Sequence, residues 1–179
     1  MLFYITINMG NISTKLTEFR RASSFYVQLG NKTIPDNATT ATTKYVPQIT
    51  RGRVVKVYDG DTLTIVGYVK YNPVLYKFSV RLHGLDCAEI KTTNIEEKTI
   101  ALLAKNYILN IVDGKIIELK NVGIDKYGRL LANVYYNDRH LNQELLDKHL
   151  AVEYDGGTKH IPANWVKYYA EANLKISGT

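Results

Sequence analysis

Apolar positions along the chain change period several times, and each change marks an element. Arg53–Tyr58 (RVVKVY) is rich in β-branched residues and runs into Asp59-Gly60, a tight-turn signal. Thr62–Val69 (TLTIVGYV) is β-rich again, so the two runs predict a hairpin with Asp61 just past its turn. In Leu75–Leu82 (LYKFSVRL), Tyr76, Phe78, Val80 and Leu82 alternate with Leu75, Lys77, Ser79 and Arg81. That alternation predicts a third strand with one apolar face.

The period then lengthens. Thr93-Asn94-Ile95-Glu96 reads as a capping box. Behind it Ile100, Leu103, Ala104, Tyr107, Ile108 and Ile111 recur at helical spacing, one stripe facing a core, and Asp113-Gly114 ends the helix. Lys115–Asn121 and Arg129–Tyr136 predict two more strands, and Asn137-Asp138 a turn. Leu141–His149 predicts a short helix with Leu141 and Leu145 inward. Pro162 suits the first turn of a last helix, with Trp165, Tyr169 and Ala172 on one side and Tyr76, Tyr107 and Tyr169 among the core tyrosines. The order βββ-α-ββ-α-α predicts an α+β, mainly β fold: a five-stranded Greek-key barrel of the OB type with three helices.

Ahead of these elements the residues 31–44 carry no such pattern. The stretch 31–44 (NKTIPDNATTATTK) is Thr/Asn-rich and reads as a linker, so we divide the chain into an extension, 1–49, and a folded domain, 50–179. The apolar start MLFYITIN has no Lys or Arg and is too short for a secretory signal. Asn-x-Ser/Thr triplets at Asn11, Asn31 and Asn37 matter only in a secreted chain. Met9-Gly10-Asn11-Ile12-Ser13-Thr14 fits the N-myristoylation pattern if translation begins at Met9. Lipidation at Gly10, helped by Lys15, Arg20 and Arg21, would hold an intracellular protein reversibly at a membrane surface. A start at Met1 would leave Gly10 internal.

Composition narrows the function. Lys and Arg exceed Asp and Glu by 6 in 179 residues, which suits a polyanionic partner. The single cysteine, Cys87, excludes an internal disulfide framework and a multi-Cys zinc site. His83, His140, His149 and His160 are scattered over different elements and form no metal motif. No apolar run approaches the roughly 18–20 residues of a membrane span.

The chemistry gathers at turns. Asp61 follows the first hairpin turn, Arg81, Asp86 and Glu89 lie within nine residues, and Asp125-Lys126-Tyr127-Gly128-Arg129 forms a third cluster. Acidic oxygens without His or Cys companions suit a hard cation, Ca²⁺ or Mg²⁺. Arginines suit a phosphate, because the guanidinium fork matches its oxygens. Together they would serve metal-assisted attack on a phosphodiester. Each cluster alone is ordinary, since surface turns are rich in Asp, Gly, Lys and Arg.

Taken jointly, Asp59-Gly60-Asp61-Thr62, Arg81-Leu82-x-Gly84-Leu85-Asp86-x-x-Glu89, Asp125-Lys126-Tyr127-Gly128-Arg129 and Leu150-Ala151 resemble the staphylococcal nuclease (thermonuclease) family over about residues 51–175. The resemblance implies an OB-fold and a calcium-dependent nuclease, an endonuclease-type hydrolase that cuts DNA and RNA to products with 3′-phosphate ends. By position, Asp61 and Asp86 match the calcium carboxylates, and Cys87 matches a residue giving the ion its backbone carbonyl. Glu89 matches the carboxylate acting on the attacking water, and Arg81 and Arg129 match the phosphate-binding arginines. Lys126 and Tyr127 match residues beside the terminal phosphate, and Tyr154 falls near a base-stacking tyrosine. Ala88 stands where the family often has Pro, and the last helix lacks the family's usual Trp-containing end. The alternative is a catalytically weak nucleic-acid or protein binding module of the same fold, with or without a membrane tether. All three carboxylates and both arginines are present, which favours the enzyme, expected to act as a monomer on DNA and RNA with Ca²⁺.

Overall fold

A computed structural model describes residues 33–34, 38–39 and 41–176. The chain divides into two compact units, 1–43 and 44–179, and the second is described here. Gly10 and its proposed lipidation lie outside the described residues.

The eleven elements of this unit begin with β1 (Arg51–Val57), β2 (Thr62–Tyr68), β3 (Leu75–Leu82) and β4 (Leu85–Cys87). Next come α1 (Ile95–Val112), β5 (Ile116–Ile124), β6 (Leu130–Tyr136), β7 (Arg139–His140) and α2 (Leu141–Asp147). The last two are β8 (Ala151–Glu153) and α3 (Trp165–Ile176). β1, β2 and β3 form an antiparallel meander, β1 also pairs β5, and β5 pairs β6. The ring closes where β3 runs parallel to β6, with Val80 beside Leu130 and Leu82 beside Ala132. The result is the expected closed five-stranded mixed barrel with three helices, the OB arrangement. β7 adds a two-residue rung to β6.

The barrel interior is filled by Leu63, Ile65, Val80, Leu82, Ile117, Leu119, Leu130, Ala132 and Val134, all buried. Alternation does this: at period two, one face of each strand turns inward. α1 covers one end with Ile100, Ala101, Ala104, Ile108 and Val112. Leu103, expected in that stripe, is exposed, and Tyr107 is half-buried. The buried face runs instead along the i, i+4 row through Ala104, because only a small side chain fits over the β1–β2 turn. Asn142 carries the polar link between α2 and the barrel. Its Oδ1 accepts from the Val134 N–H at 2.8 Å, and its Nδ2 donates to the carbonyls of His83 and Ala132 at 2.8 and 3.2 Å.

Several local expectations are corrected. The cap of α1 is Asn94 rather than Thr93, its Oδ1 accepting from the N–H groups of Glu96 (2.9 Å) and Glu97 (3.2 Å). Asn164, not Pro162, precedes α3, and its Oδ1 accepts from the Lys167 N–H at 2.8 Å. In both places a side-chain oxygen satisfies orphan helical donors, which proline cannot do. α2 stops at Asp147, and His149 adopts φ 52°. Tyr76 is exposed, not core.

Candidate active site

The first functional turn exists because of Gly60. The N–H groups of Tyr58 and Asp59 donate to the Thr62 carbonyl, so the chain reverses within four residues. A Cβ on Gly60 would come within 2.7 Å of the Ala104 methyl and 2.8 Å of Cys87 Sγ. Glycine therefore lets the turn wedge between α1 and β4, and the wedge drives Asp61 inward. Asp61 and Asp86 are each only 4% exposed.

Two buried carboxylates need partners. Register supplies one: Thr62 pairs with Arg81 across β2 and β3. Arg81 Nη1 lies 2.8 Å from Asp61 Oδ2, and its Nη2 donates to Asp86 Oδ1 at 2.5 Å and to the Leu85 carbonyl at 3.4 Å. The Thr62 hydroxyl donates to Asp61 Oδ1 at 2.8 Å. Burial alone would weaken the Arg81 cation, but Asp61 and Asp86 more than offset it and strengthen its hold on the proton. Asp59 has no such cation. Burial and the neighbouring Asp61 charge push its carboxyl up to about 7.

Asp86 is held in place by a small sheet that the apolar pattern did not predict. β4 pairs β8, with Leu85 beside Glu153 and Cys87 beside Ala151. The Cys87 N–H points at Asp61 Oδ2, 3.5 Å away. Burial, reinforced by Asp61, pushes the Cys87 thiol well above its ordinary range, so it stays protonated and is no nucleophile.

The other wall is the β5–β6 loop. Asp125 Oδ1 accepts from the N–H groups of Tyr127 (2.8 Å) and Arg129 (2.9 Å), and its Oδ2 accepts from Arg129 Nε at 2.6 Å. Burial would raise the Asp125 carboxyl, but these donors hold it below the usual carboxylate range. Gly128, at φ 84°, makes the bend and sets Arg129 back onto β6. Tyr127 is exposed, with Lys126 and Arg129 5.1 and 5.5 Å from its ring centre.

These walls enclose one cleft of about 580 Å³. Arg81, Asp86, Glu89, Lys126, Tyr127, Arg129 and Tyr154 all line it, so seven of the residues singled out from the sequence share one space. Asp61 and Cys87 lie behind it, joined through Arg81 and Asp86. Glu89 sits at the exposed rim, its backbone N–H on Glu97 at 3.3 Å. Tyr154 donates its N–H to the Gly84 carbonyl at 3.0 Å.

Lys159 was not anticipated. Its Nζ lies 2.7 Å from Asp86 Oδ2 and 3.6 Å from Glu89 Oε1, bridging the two carboxylates, and 5.9 Å from the Tyr154 ring centre. Burial weakens this ammonium, but Asp86 holds its proton above the ordinary lysine range. The available signal is Asp155-Gly156-Gly157, a turn directly after Tyr154 with Gly156 at φ 98°, which sends the chain back past the cleft.

Among the described residues, no three His, Cys, Asp or Glu side chains converge as a ready metal cage. The donors that do meet are hard oxygens, and Lys159 already shows a cation seated between Asp86 and Glu89. That chemistry fits a hard divalent ion resting on few protein ligands.

A family model described as staphylococcal nuclease homologue matches residues 79–173. An uncharacterized endonuclease of Haemophilus influenzae is 33% identical over 102 residues, 57% of this chain and 51% of the relative. A staphylococcal-like nuclease of Arabidopsis thaliana is 31% identical over 102 residues, 57% of this chain and 29% of that protein. A probable endonuclease of Schizosaccharomyces pombe is 35% identical over 85 residues, 44% of this chain and 37% of the relative. This chain thus spans about half or less of the length of each.

Proposed function

The chain belongs to the staphylococcal nuclease family, and we propose that it is a calcium-dependent phosphodiesterase acting on DNA and RNA. The observation that carries this reading is the single cleft in which Arg81 and Arg129 meet Asp86 and Glu89, with Asp61 tied in through Arg81.

In this reading Arg81 and Arg129 clamp the scissile phosphate. Each guanidinium has more N–H groups than its carboxylate partners take up, and those that remain would meet the phosphate oxygens and stabilise the charge that builds in the five-coordinate transition state. Glu89 sits at the cleft rim, where it acts on the attacking water, either taking its proton as general base or accepting a hydrogen bond that orients it. Attack breaks the bond from phosphorus to O5′. The leaving oxygen takes a proton and becomes a 5′-hydroxyl, and the phosphate stays on the 3′ side. Lys126 and Tyr127 flank the phosphate, and Tyr154 offers a ring for a base. Asp61, Asp86 and the Cys87 carbonyl would hold Ca²⁺, which supplies positive charge to the phosphate when bound. Mg²⁺ demands tighter octahedral geometry and is expected to support little or no activity.

The experiment is an end-group analysis of labelled DNA and RNA strands digested with Ca²⁺. Products that lose a phosphate to a 3′-phosphatase are expected. Products carrying 5′-phosphate and 3′-hydroxyl ends would overturn the bond assignment.

A further inference from the structure

The two ends of the β2–β3 ladder differ in character. At one end Thr62 pairs with Arg81 beside the cleft; at the other Tyr68 pairs with Leu75. The six residues from Leu75 to Arg81 span about 20 Å at about 3.3 Å per residue. At the far end Tyr68, Tyr71, Val74, Leu75 and Tyr76 are all exposed. The core takes none of them, since on these strands it is built from Leu63, Ile65, Val80 and Leu82. Tyr71 is 77% exposed and adopts φ 63°, a left-handed conformation that glycine or asparagine fills with less strain.

Hydrogen bonds hold this hairpin end in one shape. The Asn72 N–H donates to the Val69 carbonyl at 3.0 Å and closes the turn. Asn72 Oδ1 accepts from the Val74 N–H at 3.0 Å, and its Nδ2 donates to the Tyr76 hydroxyl at 3.1 Å. The Lys70 N–H donates to the Gln48 carbonyl at 2.8 Å. Pro73 has no N–H to satisfy. The N–H groups of Lys70, Asn72 and Val74 therefore have partners inside the protein and need no water.

The surrounding charge is positive. Lys70 and Lys77 are exposed, and neither 44–58 nor 62–85 contains Asp or Glu. On the adjoining strands Glu118 of β5 is exposed, and Arg51, its partner on β1, stands between it and the hairpin. Lys70 Nζ lies 4.9 Å from the Tyr71 ring centre.

We propose that the β2–β3 hairpin end, residues 68–77, docks on an anionic lipid surface. Backbone can enter the edge of a bilayer only when its polar groups are already paired. Tyrosine suits the headgroup level, with its ring toward the acyl chains and its hydroxyl in water. Val74 and Leu75 add apolar reach, and the two lysines meet lipid phosphates. A convex turn needs no matching groove on a soft surface. Val74 and Leu75 offer a nucleic-acid base no ring to stack on, and the patch lies at the end of the ladder away from Arg81. Docked this way, the cleft would stand about 20 Å along β3 from the contact. The proposal goes beyond the nuclease reading and does not depend on it.

The test is co-sedimentation of the full chain with vesicles of phosphatidylcholine, with and without phosphatidylserine. Wild type is expected to bind the serine-containing vesicles more tightly. Tyr71→Ser, Val74→Ser and Leu75→Ser combined should lower that partition at least about tenfold, with an unchanged circular dichroism spectrum. Lys70→Gln with Lys77→Gln leaves the apolar side chains in place and should lower it about fivefold per lysine, and only where phosphatidylserine is present. Because every variant keeps residues 1–43, the comparison isolates the hairpin. Equal partition by wild type and the triple variant would overturn the proposal, as would a wild type that binds neither vesicle. Two further results would also overturn it, each with vesicle partition unchanged in the triple variant. Weaker binding of a labelled DNA single strand in chelator would make the patch a nucleic-acid contact. Loss of a wild-type dimer in sedimentation velocity would make it an interface between copies.

Discussion

Arg81 answers to two buried carboxylates at once, and this sets what single substitutions in the cleft should do. Each of Asp61 and Asp86 has one oxygen on Arg81, so truncating Arg81 leaves Asp61 buried without its counter-charge, whereas truncating either carboxylate leaves Arg81 paired with the other. Glu89 and Arg129 are cleaner probes, because neither holds that core together. Glu89→Gln keeps the shape and removes the charge; a rate loss of about 10²–10⁴ is expected for a group moving a proton. A loss under about tenfold would contradict that role. Arg129→Lys keeps the charge and loses the fork, and should cost about 10²–10³ in rate with the fold intact by circular dichroism. Lys159 is a different case. It occupies Asp86 and Glu89 as a tethered cation, so Lys159→Gln should let Ca²⁺ bind several-fold more tightly in calorimetry without substrate. Weaker or equal Ca²⁺ binding would contradict the competition.

Elements hold these residues through a few polar ties, and one tie gives a pH signature. Arg139 Nη2 and Nε lie 2.6 and 2.8 Å from the Glu144 carboxylate, and the Tyr107 hydroxyl of α1 donates to it at 2.5 Å. Arg139 first, then Tyr107 against the pull of burial, holds Glu144 below its ordinary 4.5. Burial and Glu144 push Tyr107 up to about 12. A carboxylate with a depressed pKa stabilises the fold above its unfolded value and loses that contribution as pH falls through the folded one. Thermal melts should therefore show wild type losing stability below about pH 4.5 more steeply than Glu144→Gln. Near neutral pH the variant should be weaker by about 1 kcal/mol, after allowance for solvent screening. Equal slopes in acid would contradict the tie.

The same scale explains what the sequence made legible. The barrel strands and α1 announce themselves because each is long enough to show a period, and Asp59-Gly60 marks its own turn. β4 and β8 are three residues each and exist only because they pair with one another, so no local pattern reveals them. The caps moved by one or two residues because Asn94 and Asn164 offered better acceptors than their neighbours. Seven predicted residues meet in the cleft because the motifs sit at strand ends that the barrel gathers. Lys159 escaped because its partners lie far away along the chain.

At the scale of the whole unit, the barrel separates two duties. The β1–β2 turn and β4, covered by α1, bury the carboxylates whose charge must be balanced, and the segment 51–82 that holds the first three strands carries six Lys and Arg against two acids. Family membership and the gathering of carboxylates and arginines in one cleft both support the proposed phosphodiester hydrolysis. The most direct measurement is the rate at which wild type and Asp86→Ala digest single-stranded DNA with Ca²⁺, with Mg²⁺ and with chelator. The account predicts rapid digestion by wild type with Ca²⁺ and little or none in the other two conditions. It also predicts a loss of at least about 10²-fold for Asp86→Ala with Ca²⁺. Equal digestion in chelator, or an Asp86→Ala variant as fast as wild type, would contradict it.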